Sequence, residues 1–318
     1  MNTVFLGTPE FAVATLERMI EAGHRVLEVV TQPDRPQGRK QELIPSPVKK
    51  AAIRHALPVY QPERIRRPES VEHLRELAPD VMVVVGYGQI IPQAIIDIPK
   101  HGIINVHASL LPELRGAAPI QWAVARGFAT TGVATMKIDA GLDTGDVLGS
   151  WETTVGGDET APELGVRLAQ AGADLLVQTL SDLESGIAVP IPQDNALATY
   201  APILKKEDGR IDWTRSAQEI HNLIRGLQPW PGAHTSFRGQ SLRIWRSKLS
   251  SALSSAPRNP GNRADWKSGL VFEDGGVFVV AGDQAPLELL EVQLEGRQRM
   301  PAAVFANGHR LSGGEMLA

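Results

Sequence analysis

Short apolar runs alternate with amphipathic stretches through about the first 185 residues. "TVFLG" precedes an amphipathic stretch from Pro9 to Ala22. "RVLEVVTQ" leads into a polar loop from Pro33 to Pro45. "PVKKAAIRHA" reads as a helix with Pro47 in its first turn, where a missing N–H costs nothing. "LPVYQ", the helical "PESVEHLRELA" and the strand "DVMVVVG" follow; then come "GIINVHAS", the helical "APIQWAVARG", "TGVATMKI", "VLGSWETTV" and a long helix from Glu159 to Ser185. "DVMVVVG" is almost unbroken in its apolar character, as expected of a central parallel strand covered on both faces. This alternation predicts an α/β fold with a Rossmann-like, doubly wound, mostly parallel sheet.

The pattern then changes. Residues 187–204, "IAVPIPQDNALATYAPIL", are poor in charge and hold three prolines, which predicts an extended linker. Beyond them a helix from Ser216 to Gly226 precedes "SLRIWRSKL", "GLVFEDGGVFVVAG" and "LELLEVQLEG". Short strands punctuated by glycine predict a smaller C-terminal β-barrel of OB-like type. The expected division is therefore 1–186, a linker at 187–204, and 205–318. The Ser/Pro/Asn-rich stretch 250–263 reads as a mobile surface loop.

Composition adds less. The chain has 318 residues and no cysteine, which excludes disulfides and thiolate chemistry and fits a cytoplasmic protein. No apolar run approaches the ~18 residues of a membrane span, and "MNTVFLG" reads as a first strand, not a leader. Charge is more informative once the chain is divided. Residues 1–204 carry 17 Lys+Arg against 24 Asp+Glu, whereas residues 205–318 carry 15 against 12. A basic second half beside an acidic first half is the pattern of a chain whose second half meets a polyanion, although an ordinary solvated surface gives the same counts.

Two features could carry chemistry. In "INVHASLLPELRG" (104–116), Asn105 and His107 lie two positions apart at the carboxyl end of a strand and so share a face. Ligand sites of doubly wound sheets lie beyond such strand ends. Two donors there could hold a carbonyl oxygen as it becomes an oxyanion, or simply cap the strand. The second feature, "IDAGLDTGD" (138–146), follows another strand and presents Asp139, Asp143 and Asp146. Their spacing matches no metal loop. One of them could face His107, fixing its tautomer and taking part in proton transfer; Asp139 and Asp146 read as a solvated turn, which leaves Asp143 to orient His107. "SLLP" (109–112) and "GYGQIIP" (86–92) could wall a pocket for a flat ligand. The first turn, "GTPEF", lacks the glycines of a dinucleotide fingerprint.

"NVHASLLPELRGAAPIQ" together with "GLDTGD" resembles the signature of the folate-dependent formyltransferases. The insertion "TQPDRPQGRK…PSPVK" (31–49) resembles that of the methionyl-tRNA formyltransferase family. The likeness includes "YAPILKKEDGRIDW" and "PWPGA" and weakens past about residue 250. It implies formyl transfer from 10-formyltetrahydrofolate to the α-amino group of initiator methionyl-tRNA, without a metal and without a membrane, by a monomer. It implies Asn105, His107 and Asp143 as catalytic residues. Ser109, Leu110, Leu111 and Pro112, with Gly86 and Tyr87, would contact the folate. Arg35, Arg39, Lys40, Lys205 and Lys206 would contact the tRNA. Lys40, Gln41 and Glu42 stand where relatives carry a glycine and a lysine pair, so the tip of the insertion is less basic here. Competing readings are a formyltransferase acting on a sugar-nucleotide amine, a formyl-folate hydrolase, and a catalytically silent folate- or tRNA-binding protein.

Overall fold

A computed structural model describes residues 1–37, 42–250, 266–311 and 314–318. They form two compact units. The first comprises Met1–Pro119, Thr130–Thr154 and Gly165–Pro202; the second comprises Ile120–Ala129, Val155–Leu164 and Ile203–Ala318.

In the first unit the strands are β1 (Asn2–Gly7), β2 (Arg25–Val30), β3 (Arg35–Gln37), β4 (Glu42–Ile44), β5 (Val59–Tyr60), β6 (Val81–Val85), β7 (Ile103–His107), β8 (Arg115–Gly116), β9 (Thr130–Lys137), β10 (Val147–Thr154) and β11 (Tyr200–Ala201). Seven of them make one sheet in the order β10-β9-β7-β6-β1-β2-β5. From β7 to β5 the pairing is parallel, and β9 runs antiparallel to both of its neighbours. The chain builds outward from β1 through β2 to β5, then returns to β6 on the other side. The order therefore reverses between β1 and β6, the topological switch point of such a sheet.

Both faces are covered. Helices α1 (Phe11–Glu21) and α2 (Pro47–Arg54) contribute Leu16, Met19, Val48 and Ala51 to a core with Phe5, Val83, Val85, Ile104 and Val106. Helices α3 (Pro68–Glu76) and α4 (Gln93–Ile96) contribute Leu74 and Ile95 to a second core with Val4, Leu6, Met82, Val84 and Ile103. Successive residues of β1, β6 and β7 thus enter opposite cores, the period of two that the pleat requires. Ile104 and Val106 face one core, so Asn105 and His107 share the face of Ile103. Ser46 caps α2 by accepting from the Lys49 N–H at 3.0 Å.

Two expectations are corrected. Residues 33–45 are not simply a loop, because β3 and β4 pair as a short antiparallel hairpin, Arg35 with Ile44 and Pro36 with Leu43. Residues 187–202 are not a free tether. Ile191 bridges Val147, and β11 runs parallel to β8. Gly116 of β8 has φ +118°, and a Cβ there would lie 2.7 Å from the Ala201 carbonyl oxygen, so glycine is required for this pairing.

The second unit includes helices α5 (Pro119–Ala125, from Ile120 on), the start of α6 (Ala161–Ser185), α7 (Ala217–Gly226) and α8 (Ala302–His309). Its strands are β12 (His234–Phe237), β13 (Gln240–Leu249), β14 (Val271–Glu273), β15 (Val277–Val280), β16 (Pro286–Leu294) and β17 (Met300–Pro301). They form an antiparallel sheet in the order β12-β13-β16-β15-β14, with β17 on β16. The chain's last residues bridge its two edges: Ala318 exchanges backbone hydrogen bonds with Ser236 of β12, and Glu315 accepts from Val271 of β14. The expected barrel is closed in this way. Trp213, Ile220, Ile224, Phe237, Leu242, Val279, Leu287 and Phe305 fill it. Phe305 comes from α8, which the sequence pattern does not predict. Residues 251–263 of the expected surface loop lie outside the described residues. Among the described residues no helix is long and apolar enough to cross a membrane.

His221 of α7 is buried, with Nδ1 2.9 Å from Ser247 Oγ and Nε2 3.2 Å from the Gly157 carbonyl oxygen. Burial, with Arg225 nearby, pushes its pKa below the ordinary histidine value, and the Gly157 and Asp158 contacts oppose this only in part. The unfolded chain therefore takes up this proton before the folded one. The contribution is complete above about pH 6.5 and is lost as pH falls through the lower folded value. Thermal unfolding should show wild type losing more stability than His221→Gln between neutral and mildly acid pH. Equal losses would contradict this assignment.

Candidate active site

The carboxyl end of β7 presents Asn105 and His107, 8% and 6% exposed. The Asn105 side chain has no hydrogen-bond partner among the described residues. The residue is largely buried but its amide atoms still reach solvent, so the amide is free to donate to a ligand at the strand end. His107 is already oriented. Its Nε2 lies 3.0 Å from the Leu114 carbonyl oxygen. A carbonyl only accepts, so Nε2 carries the hydrogen and the neutral ring presents a lone pair at Nδ1.

Asp143 Oδ2 stands 3.8 Å from that Nδ1, beyond hydrogen-bond reach. The same oxygen accepts from the Gly116 N–H at 2.8 Å. The expectation that Asp143 orients His107 is therefore corrected: the Leu114 carbonyl sets the ring, and Asp143 lies beside it. Leu114 and Asp143 both have left-handed backbones, at φ +55° and +52°. Aspartate adopts this conformation more readily than leucine, and hydrogen bonds hold both residues in it. The Leu114 N–H donates to Thr199 Oγ1 at 2.9 Å, and Gln193 Nε2 donates to the Asp143 carbonyl at 3.0 Å. Asp139 behaves as the expected turn residue, accepting from the Gly141 N–H and the Thr144 hydroxyl.

The suggested ligand wall divides. Leu110, Leu111 and Pro112 are half-buried and keep surface for a contact. Ser109 does not, since its buried hydroxyl donates to the Glu113 carbonyl at 2.6 Å. Nor does the ring of Tyr87, which is 1% exposed among Val4, Leu6, Ile95 and Ile103. Burial pushes its phenol pKa up, and its hydroxyl has no partner. Only the Tyr87 backbone reaches the switch point, its carbonyl accepting from Thr8 Oγ1 and Gln32 Nε2, each at 3.1 Å. Gly86, at φ +58°, lets this loop close on the first turn, where an added Cβ would lie 2.9 Å from Pro9 Cγ.

Of the expected tRNA contacts, Arg35 is exposed on β3, and Lys205 and Lys206 are exposed and without ion pairs among the described residues. Arg39 and Lys40 lie outside the described residues. Gln193, Thr199 and Arg115 are the site residues that the sequence reading missed. Gln193 and Thr199 lie within the charge-poor, proline-punctuated stretch that reads as a linker, and nothing local marks them.

Residues 1–180 match the model of the formyl transferase family, and residues 203–310 match that of the formyl transferase C-terminal domain. A methionyl-tRNA formyltransferase of Solibacter usitatus is 58% identical over 318 residues, covering 100% of this chain and 98% of its own. One from Koribacter versatilis is 54% identical with the same coverage. Among solved structures, the methionyl-tRNA formyltransferase of Clostridium thermocellum superposes with a TM-score of 0.55 at 18% identity, over 79% of this chain and 95% of that one. An N-formyltransferase of Helicobacter canadensis, in complex with folinic acid and dTDP-3-aminofucose, gives 0.67 at 17% identity, over 90% and 98%.

Proposed function

The chain belongs to the methionyl-tRNA formyltransferase family, and from that membership we infer how its site moves a formyl group onto the amino group of methionyl-tRNA. The observation that carries the reading is the unpartnered amide of Asn105 beside a pre-oriented His107 and Asp143. The formyl donor is 10-formyltetrahydrofolate, and the half-buried surface of Leu110, Leu111 and Pro112 supports a contact with it. The acceptor is the initiator tRNA, and the enzyme works in the cytoplasm. The proposed division of labour gives catalysis to the first unit, residues 187–202 included, and tRNA binding to residues 205–318, with Arg35, Arg39, Lys40, Lys205 and Lys206 on the tRNA.

The nucleophile needs little activation. A free α-amino group has a pKa of about 7.7–8.0, and esterification of the neighbouring carboxyl lowers it, so a neutral fraction exists at pH 7. The protein supplies positioning and a place for negative charge. Asn105 donates to the formyl oxygen at every working pH. His107 donates to it only when protonated at Nδ1, because Nε2–H is committed to Leu114. As the new C–N bond forms and the bond to the leaving nitrogen breaks, one proton passes from the amine to that nitrogen. Asp143 Oδ1 and His107 Nδ1 are the groups free to carry it, since Asp143 Oδ2 is held by Gly116.

The test is to incubate the protein with 10-formyltetrahydrofolate and methionyl-tRNA, a sugar-nucleotide amine, or buffer alone. Formyl transfer only to methionyl-tRNA is expected, and transfer to the sugar amine or free formate would replace this reading. In the same assay KM for methionyl-tRNA should rise with salt while KM for the folate changes little, because lysine and arginine contacts to phosphates release counterions. Salt-insensitive formylation would contradict the tRNA assignments.

A further inference from the structure

We propose that Gln193 is a positioning residue for formyl transfer, fixing the loop that carries Asp143 by gripping two of its carbonyls while braced by a buried arginine; this rests on the catalytic reading of Asp143 above. The Gln193 amide is fully used. Nε2 donates to the carbonyls of Asp143 and Gly145, at 3.0 and 2.6 Å. Oε1 accepts from Nε and Nη2 of Arg115, at 3.1 and 2.7 Å. The guanidinium can only donate and the two carbonyls can only accept, so the amide has one chemically consistent orientation.

The brace is unusual. Arg115 is 2% exposed, and among the described residues its guanidinium donates to a neutral amide, not a carboxylate. A buried guanidinium is costly unless its donors are satisfied, and Gln193 Oε1 serves two of them, Nε–H and one at Nη2. The other end of the amide holds a residue in a left-handed backbone conformation, Asp143 at φ +52°. Aspartate tolerates this conformation better than most residues, and the Gln193 contact fixes it here. Two anchors set the Asp143 carboxylate: its own Oδ2, held by Gly116 N–H, and its backbone carbonyl, held by Gln193. A few residues on, Thr199 accepts from the N–H of Leu114, whose carbonyl orients His107. One passage of chain therefore holds both sides of the 3.8 Å gap between His107 and Asp143.

Gln193→Glu separates positioning from structural support. A carboxylate still accepts from Arg115, so the brace survives, but it cannot donate to the two carbonyls. Gln193→Met removes both ends at similar size. The full chain is assayed with 10-formyltetrahydrofolate and methionyl-tRNA at saturation, alongside thermal unfolding and Asp143→Asn. Both Gln193 variants should lose about 10²-fold in kcat, the scale of a displacement near 1 Å in an active site, with both KM values near wild type. Gln193→Glu should do so while remaining folded, its ion pair with Arg115 offsetting part of the loss of the two donations. A folded Gln193 variant with wild-type kcat, or one altered only in KM, overturns the proposal. If Asp143→Asn keeps the wild-type rate, the catalytic reading itself fails. If Asp143→Asn is impaired while Gln193→Glu is not, only this inference fails.

Discussion

Asn105→Ala should lower kcat for formyl transfer by about 10²–10³-fold, or roughly 2.7–4 kcal/mol of barrier, the usual cost of one oxyanion donor. The fold should barely notice. The Asn105 amide bonds to nothing among the described residues, so its loss orphans no partner on the protein. A polar cap on a strand end would behave in the opposite way, costing stability and leaving turnover intact. The two readings therefore exchange places in a pair of measurements, kcat at saturation and Tm. KM for the folate should rise only modestly beside the fall in kcat, because the hydrogen bond present in the bound folate strengthens as charge develops on the oxygen. A variant with near-normal kcat and a lowered Tm would return Asn105 to a structural role.

Asp143→Asn should cost about 10²–10⁴-fold in kcat, the range of a general acid–base contribution. The amide keeps an oxygen to accept from Gly116 N–H, so the fold should remain at wild-type stability. Asp143→Ala removes that acceptor as well. It should lose activity and also about 1–3 kcal/mol of stability, the cost of an orphaned donor. Comparing the two by denaturant unfolding and turnover separates the charge from the hydrogen bond. Equal Tm in both variants would show that Gly116 finds another partner, and an active Asp143→Asn would remove Asp143 from the proton path.

The parts of this protein that were legible in its sequence are those written with a local period. "DVMVVV" could hardly be other than a strand buried on both faces, and the spacing of Asn105 and His107 put them on one face of β7. What was missed depends on partners distant in sequence. Gln193 joins Arg115, 78 residues away, to Asp143, 50 residues away, and no pattern around any of them records it. Closure of the barrel by residues 315–318 against Ser236 and Val271 is equally non-local. The β3–β4 hairpin was hidden because Pro36 reads as a strand breaker, although an edge strand tolerates it. Tyr87 was misjudged for a related reason. A tyrosine in a loop at the sheet edge looks like a ligand wall, yet its ring turns back into the core beneath α3 and α4. The family resemblance supplied the reaction; the geometry then reassigned the orientation of His107 from Asp143 to Leu114.

The central claim is that Asn105 polarises the formyl carbonyl, and isotope-edited infrared spectroscopy of carbon-13-formyl folate bound to the protein tests it directly. The account predicts a carbonyl stretch shifted to lower frequency on binding to wild type, with the shift largely lost on binding to Asn105→Ala. An unchanged frequency in wild type, or the same shift in both proteins, would contradict it.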